Sequence, residues 1–85
     1  MTWNYQIVKD KHGYSIREVI NERKKPVSWT VDEVSPSGDT RDELRKCITM
    51  YINDITSRPI LIIEGGKVIG KEPPLTELLH EETND

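Results

Sequence analysis

Thr40-Arg41-Asp42-Glu43-Leu44-Arg45-Lys46-Cys47-Ile48-Thr49-Met50-Tyr51-Ile52-Asn53-Asp54-Ile55 is the stretch on which the fold turns. Within it Leu44, Cys47, Ile48, Tyr51, Ile52 and Ile55 recur at i, i+3, i+4, i+7, i+8 and i+11, one apolar stripe of an α-helix. Thr40 and Glu43 match a capping box: a hydroxyl for an orphan amide, and a carboxylate three residues on to reach back. Asp39, Asp42 and Glu43 also suit the positive end of the helix dipole. The pattern predicts a helix near residues 41–56, stopped before Pro59 because the residue preceding proline disfavours the α region. Arg41, Arg45, Thr49 and Asp54 are expected on its solvent side.

Upstream, Val34-Ser35-Pro36-Ser37-Gly38-Asp39 breaks any regular pattern. Before it the period shortens to two. Trp3, Tyr5 and Ile7 alternate with Asn4, Gln6 and Val8. After a turn at Asp10-Lys11-His12-Gly13, Tyr14, Ile16 and Ile20 share a face with Glu18, opposite Ser15, Arg17 and Val19. A polar loop, Asn21 to Pro26, leads to Val27, Trp29 and Val31 on one side of a third strand. These segments predict a three-stranded antiparallel meander with one apolar face, and Trp3 and Trp29 are expected to point inward. Downstream, Ile60-Leu61-Ile62-Ile63 is a short apolar run between Pro59 and Gly65, read as a buried strand. Gly65-Gly66 is a two-residue hairpin signal, and Lys67-Val68-Ile69 is the candidate for a short fifth strand before Pro73-Pro74. Leu75, Leu78 and Leu79 could make one helical turn. The expected architecture is therefore an α+β domain, β-β-β-α-β, spanning 1–80, with 81–85 a frayed acidic tail.

The chain has 85 residues, 34% apolar and 32% charged, and no Phe. A single domain of this length buries only about 60% of its unfolded surface, which leaves few residues for an enclosed active site. The lone Cys47 excludes an internal disulfide and a cysteine-rich zinc site, and a single thiol suits a reducing cytoplasm. Met1-Thr2-Trp3-Asn4 has no basic or apolar leader character, and Ile60-Ile63 is too short to cross a bilayer. A cytoplasmic location is the expectation. The net charge of −3 speaks mildly against nucleic acid as main partner. The charge is uneven, however: residues 1–25 carry a net +3 and the remainder a net −6.

Each residue that could carry chemistry has a plainer reading. His12 lies in a predicted turn and His80 near the tail, so solvated positions are preferred to a metal pair. Cys47 sits on the apolar stripe, as a small buried hydrophobe does. Asp39, Asp42 and Glu43 are explained by capping. Gly65-Gly66-Lys67 lacks the spacing, the hydroxyl residue and the following helix of a phosphate loop. No catalytic, cofactor-binding or metal site is expected.

Two likenesses rest on particular residues. Trp3-Asn4-Tyr5, Tyr14-Ser15-Ile16-Arg17-Glu18-Val19, Pro26-Val27-Ser28-Trp29-Thr30 and Ser35-Pro36-Ser37-Gly38-Asp39-Thr40 resemble a family of small uncharacterised bacterial proteins, across roughly residues 3–55. Three strands, then Gly38-Asp39-Thr40 opening a helix, then a strand, also resemble the HicB-like antitoxin domain. That resemblance implies a module that neutralises a small messenger-RNA-cleaving toxin. Ser35-Pro36-Ser37 replaces that domain's usual Pro-Gly-Cys-like turn. The roughly 29 residues after the helix are too few for an added DNA-binding module.

The functional expectation is a non-catalytic protein-binding or regulatory module with an unidentified protein partner. Its contact surface would be a sheet edge or the outer helix face bearing Arg41, Arg45 and Lys46. The alternative is a weak nucleic-acid binder using the basic hairpin loops: Lys9, Lys11, Arg23, Lys24 and Lys25.

Overall fold

In the computed structural model, which describes residues 1–75, the alternating segments form a continuous ribbon: β1 (Thr2–Asp10), β2 (Gly13–Glu22) and β3 (Lys25–Trp29). Lys11 and His12 make the first tight turn, and Gly13 beyond them takes φ 116. The second turn is Arg23-Lys24, both with positive φ (52 and 66). Two successive left-handed residues match the twist of a hairpin, a geometry that Asn-Gly normally supplies. Here two β-carbon-bearing residues adopt it, at about 1 kcal/mol or more each.

Helix α1 (Arg41–Ser57) follows, then β4 (Ile60–Glu64) and β5 (Lys67–Glu72). Thr40 caps α1, its hydroxyl accepting from the Glu43 amide at 3.1 Å. The return half of the capping box reaches one residue further back than usual, the Glu43 carboxylate accepting from the Asp39 amide at 3.0 Å. Gly38 sits so close behind this turn that a Cβ would lie 2.6 Å from the Leu44 amide nitrogen. The Gly-Asp-Thr sequence is thus accounted for by packing and capping. Gly65 and Gly66 carry φ 58 and 74, the hairpin turn expected of them.

The sheet order is β3-β2-β1-β4-β5. The meander is present, but the sheet is mixed rather than antiparallel throughout. β4 inserts beside β1 and runs parallel to it, with Val8 opposite Leu61 and Lys9 opposite Ile62. A helical crossover carries the chain back to start the next strand in the same direction, which a hairpin cannot do. The fifth strand is six residues long and pairs along the whole of β4.

Apolar residues occupy both faces, not one. On the helix face Tyr5, Ile7 and Ile60 are buried, with Tyr51 of α1 tilted against Tyr5 (centroids 4.8 Å apart). On the opposite face Val8, Val19 and Leu61 form a closed cluster, joined by Trp29, Ile63 and Val68. Trp29 belongs to one edge strand and Val68 to the other. In a flat sheet those strands would stand about 19 Å apart. The sheet therefore curls about this cluster, which makes this face concave. A row of amides closes its end: Asn21 Nδ2 donates to Asn4 Oδ1 (2.6 Å), Asn4 Nδ2 to Gln6 Oε1 (3.0 Å), and Gln6 Nε2 to the Pro59 carbonyl (2.7 Å). Among the described residues no buried side-chain nitrogen or oxygen lacks a partner.

Two inward expectations and one outward expectation are corrected. Trp3 is 50% exposed: it lies beyond the reach of β4 and packs edge-on with Tyr5 (centroids 5.3 Å, 87°). β3 ends at Trp29, so Val31 is left 88% exposed. Asp54, expected in solvent, turns inward and accepts the Tyr5 amide proton at 3.1 Å, because β4 begins too late to pair that part of β1. The expected helical turn at Leu75 and the tail, with Leu78, Leu79 and His80, extend outside the described residues.

Candidate functional site

The stripe that predicted α1 is only half used. Cys47, Tyr51 and Ile55 are partly buried, whereas Leu44, Ile48 and Ile52 remain 37%, 38% and 50% exposed, and no residue of the helix is fully buried. The seat of the helix explains this. It packs chiefly on β1, where Tyr5 meets both Cys47 (hydroxyl to Sγ 3.4 Å) and Tyr51. The hydrogen bond to Cys47, then burial, pushes the Tyr5 phenol up to about 12. The Tyr51 hydroxyl donates to the Val34 carbonyl (3.1 Å), anchoring the helix to the loop before it. Ile48 and Ile52 lie toward one flank of the stripe, and Leu44, a turn before Cys47, is left 37% exposed. Their spacing, i, i+4 and i+8, makes a ridge about 12 Å long.

Arg41 and Arg45 border this ridge: Arg41 stands three residues before Leu44, and Arg45 three before Ile48. Lys46 does not; two residues from both Leu44 and Ile48, it points to the far side. There Asp42 receives it at 3.3 Å, and Arg45 reaches round to the same carboxylate at 2.8 Å. Arg41 has no ion pair among the described residues. The expected surface of Arg41, Arg45 and Lys46 thus resolves into a pair beside an apolar ridge and a third residue behind it.

The basic-loop set is divided more widely. Lys11 belongs to the β1–β2 turn, Arg23 and Lys24 to the β2–β3 turn, and Lys25 opens β3 beside that turn. These turns cap opposite ends of β2, roughly 30 Å apart for a ten-residue strand. Lys9 lies on the sheet, bound to Glu72 at 3.2 Å and 5.3 Å from the Tyr14 ring centroid. The Tyr14 hydroxyl donates to the other Glu72 oxygen at 2.9 Å, and both donors hold the Glu72 carboxyl below its ordinary value.

No family model, curated protein or solved structure matches this chain.

Between the helix face and α1 lies a cleft of about 510 Å³, lined by Ile7, Ile16, Val34, Tyr51 and Ile60, with Glu33 and Glu72. Leu75, the last described residue, also lines it, and what the chain contributes beyond that point lies outside the described residues. The His12 backbone amide donates to Asp10 at the turn (2.8 Å), Glu43 serves the helix start, and Asp42, in the first helical turn, holds Arg45 and Lys46. Among the described residues no group of three His, Cys, Asp or Glu could hold a metal ion, and no helix is long and apolar enough to cross a membrane.

The ridge could have been anticipated only in part. Its residues were legible as a stripe. Their exposure was not, because a helical period marks an apolar face without saying how wide a surface will cover it.

Proposed function

We propose that the chain is a non-catalytic protein-binding module that docks its partner on the uncovered side of α1. The observation that carries this reading is the exposure of Leu44, Ile48 and Ile52 in one row, beside two arginines. Leaving three large aliphatic side chains half in water forgoes burial free energy of roughly 1 kcal/mol each, and contiguous apolar surface of this kind marks contact sites. Trp3, half exposed on the same face of the sheet, adds an aromatic anchor of the type enriched at the centre of interfaces.

The sheet edges are poorer candidates. β3 is short, contains Pro26 and borders a register shift. β5 carries Lys67 and Lys71 and faces a bulge at Ile62/Ile63. Such features discourage strand addition. The order of three strands, a Gly38-Asp39-Thr40 helix start and a further strand supports a HicB-like regulatory role by analogy of fold. An RNA-cleaving toxin needs a basic substrate surface, which the basic side of α1 would not complement. Nucleic-acid binding through the hairpin loops is weakened by their separation and by the engagement of Lys9.

The test is capture from host lysate with three tagged chains: the parent, Ile48→Ser/Ile52→Ser, and Arg23→Ser/Lys24→Ser/Lys25→Ser. The reading expects one stoichiometric protein, resistant to nuclease, on the parent and the loop variant and absent from the helix variant. Nuclease-sensitive material lost only from the loop variant would transfer the function to the hairpins.

A further inference from the structure

Resting on the reading of α1 as the docking face, we propose that its occupant is an amphipathic helix of a partner protein whose apolar stripe is flanked by carboxylates. Shape supplies the first half. Leu44, Ile48 and Ile52 form an i, i+4 row, the ridge that fits the groove of a second helix. The protected sheet edges offer no equally open bed for an extended strand.

Charge supplies the second half. Among the described residues Arg41 and Arg45 border the ridge on its open side, and the one acid lining the same depression, Asp42, is already held by Arg45 at 2.8 Å. Glu43 is occupied by the Asp39 amide, and Asp54 by the Tyr5 amide. The pair between Arg45 and Asp42 is 78% and 58% exposed, so it yields readily to a better-placed carboxylate. Arg41 has no ion pair among the described residues. Guanidinium groups at the border of an apolar contact select carboxylates and fix register. A second copy of this chain does not meet the requirement, because the acid it would bring beside the same ridge, Asp42, is already paired with its own Arg45 and Lys46. A nucleic-acid backbone would leave the three aliphatic residues unburied.

The experiment follows backbone amide shifts of the isotope-labelled full chain on titration with two synthetic helical peptides. The peptides are identical except for Glu or Lys flanking a leucine row at i, i+4 and i+8. The expected result is movement at Leu44, Ile48 and Ile52 with about tenfold preference for the Glu peptide at low salt, from two border pairs, shrinking as salt rises. Arg41→Glu/Arg45→Glu, with the ridge and its flanking fold intact by circular dichroism, should invert the preference. Equal affinity for both peptides overturns the carboxylate proposal and leaves the docking face standing. Absence of any shift on α1 removes both. Larger shifts with phosphatidylglycerol vesicles than with the Glu peptide overturn the proposal in favour of a lipid surface.

Discussion

The two faces of the sheet treat their apolar residues differently. On the concave face Val8, Val19 and Leu61 are at most 1% exposed, sealed by side chains from both edge strands. On the other face Tyr5, Ile7 and Ile60 are covered, yet the helix that covers them leaves its own Leu44, Ile48 and Ile52 in solvent. A curled sheet can close over itself because the edge strands move with it. A single helix seated on one strand covers the sheet beneath it and cannot cover its own outer side. Stability thus concentrates where the sheet folds over itself, and the proposed contact surface lies on the helix.

Substitutions can break this contrast. Leu61→Ala opens a void in the closed cluster and should cost about 2–5 kcal/mol, whereas Ile52→Ala should cost under about 1 kcal/mol, helped by alanine's helix propensity. Urea denaturation of the two variants measures the difference, and equal losses would erase the distinction between the faces.

The seam between helix and sheet can be read through Tyr5. Its phenol is held at about 12 in the fold and ionises near 10 when unfolded. The folded chain holds the proton more tightly, so the contribution is complete below pH 10 and is lost as pH rises through 12, on the order of 2 kcal/mol in all. Cys47→Ala removes the leading cause, and ultraviolet titration should then show the phenol ionising at lower pH. A titration unmoved by that change would mean the helix does not rest on β1 in this way.

A gain rather than a loss is expected far from both faces. Replacing Arg23-Lys24 by Asn-Gly relieves two left-handed residues and should raise stability by about 1–2 kcal/mol. No change would place the turn outside the energetics that separate the faces.

Much of the fold was legible because local chemistry sets it. The helix bounds, the threonine cap, the Gly65-Gly66 hairpin and the α+β class follow from residue type and period. What escaped depends on distant partners. That β4 lies parallel to β1 is decided by the helix crossover, and that Val19 is a core residue depends on the curl. Asp54 looks like a solvent carboxylate until the late start of β4 leaves the Tyr5 amide needing an acceptor. The site was half legible: Arg41 and Arg45 were singled out with Lys46, but the ridge they border was assigned to the core.

The placement of β4 also bears on the order of assembly. β1 takes one neighbour from the adjoining hairpin, but its other neighbour arrives with Pro59, 53 positions after Gln6. At ribosomal rates of about 5–20 residues per second, that interval lasts roughly 3–10 s. During it the meander has two open sides, and the inner one is β1 itself, rich in aromatic and aliphatic residues. Closure then needs a long loop to be drawn in, the slow kind of step in small α+β chains. The nascent chain therefore passes through a sticky stage, which ends only when the helix and the strand after it have been made.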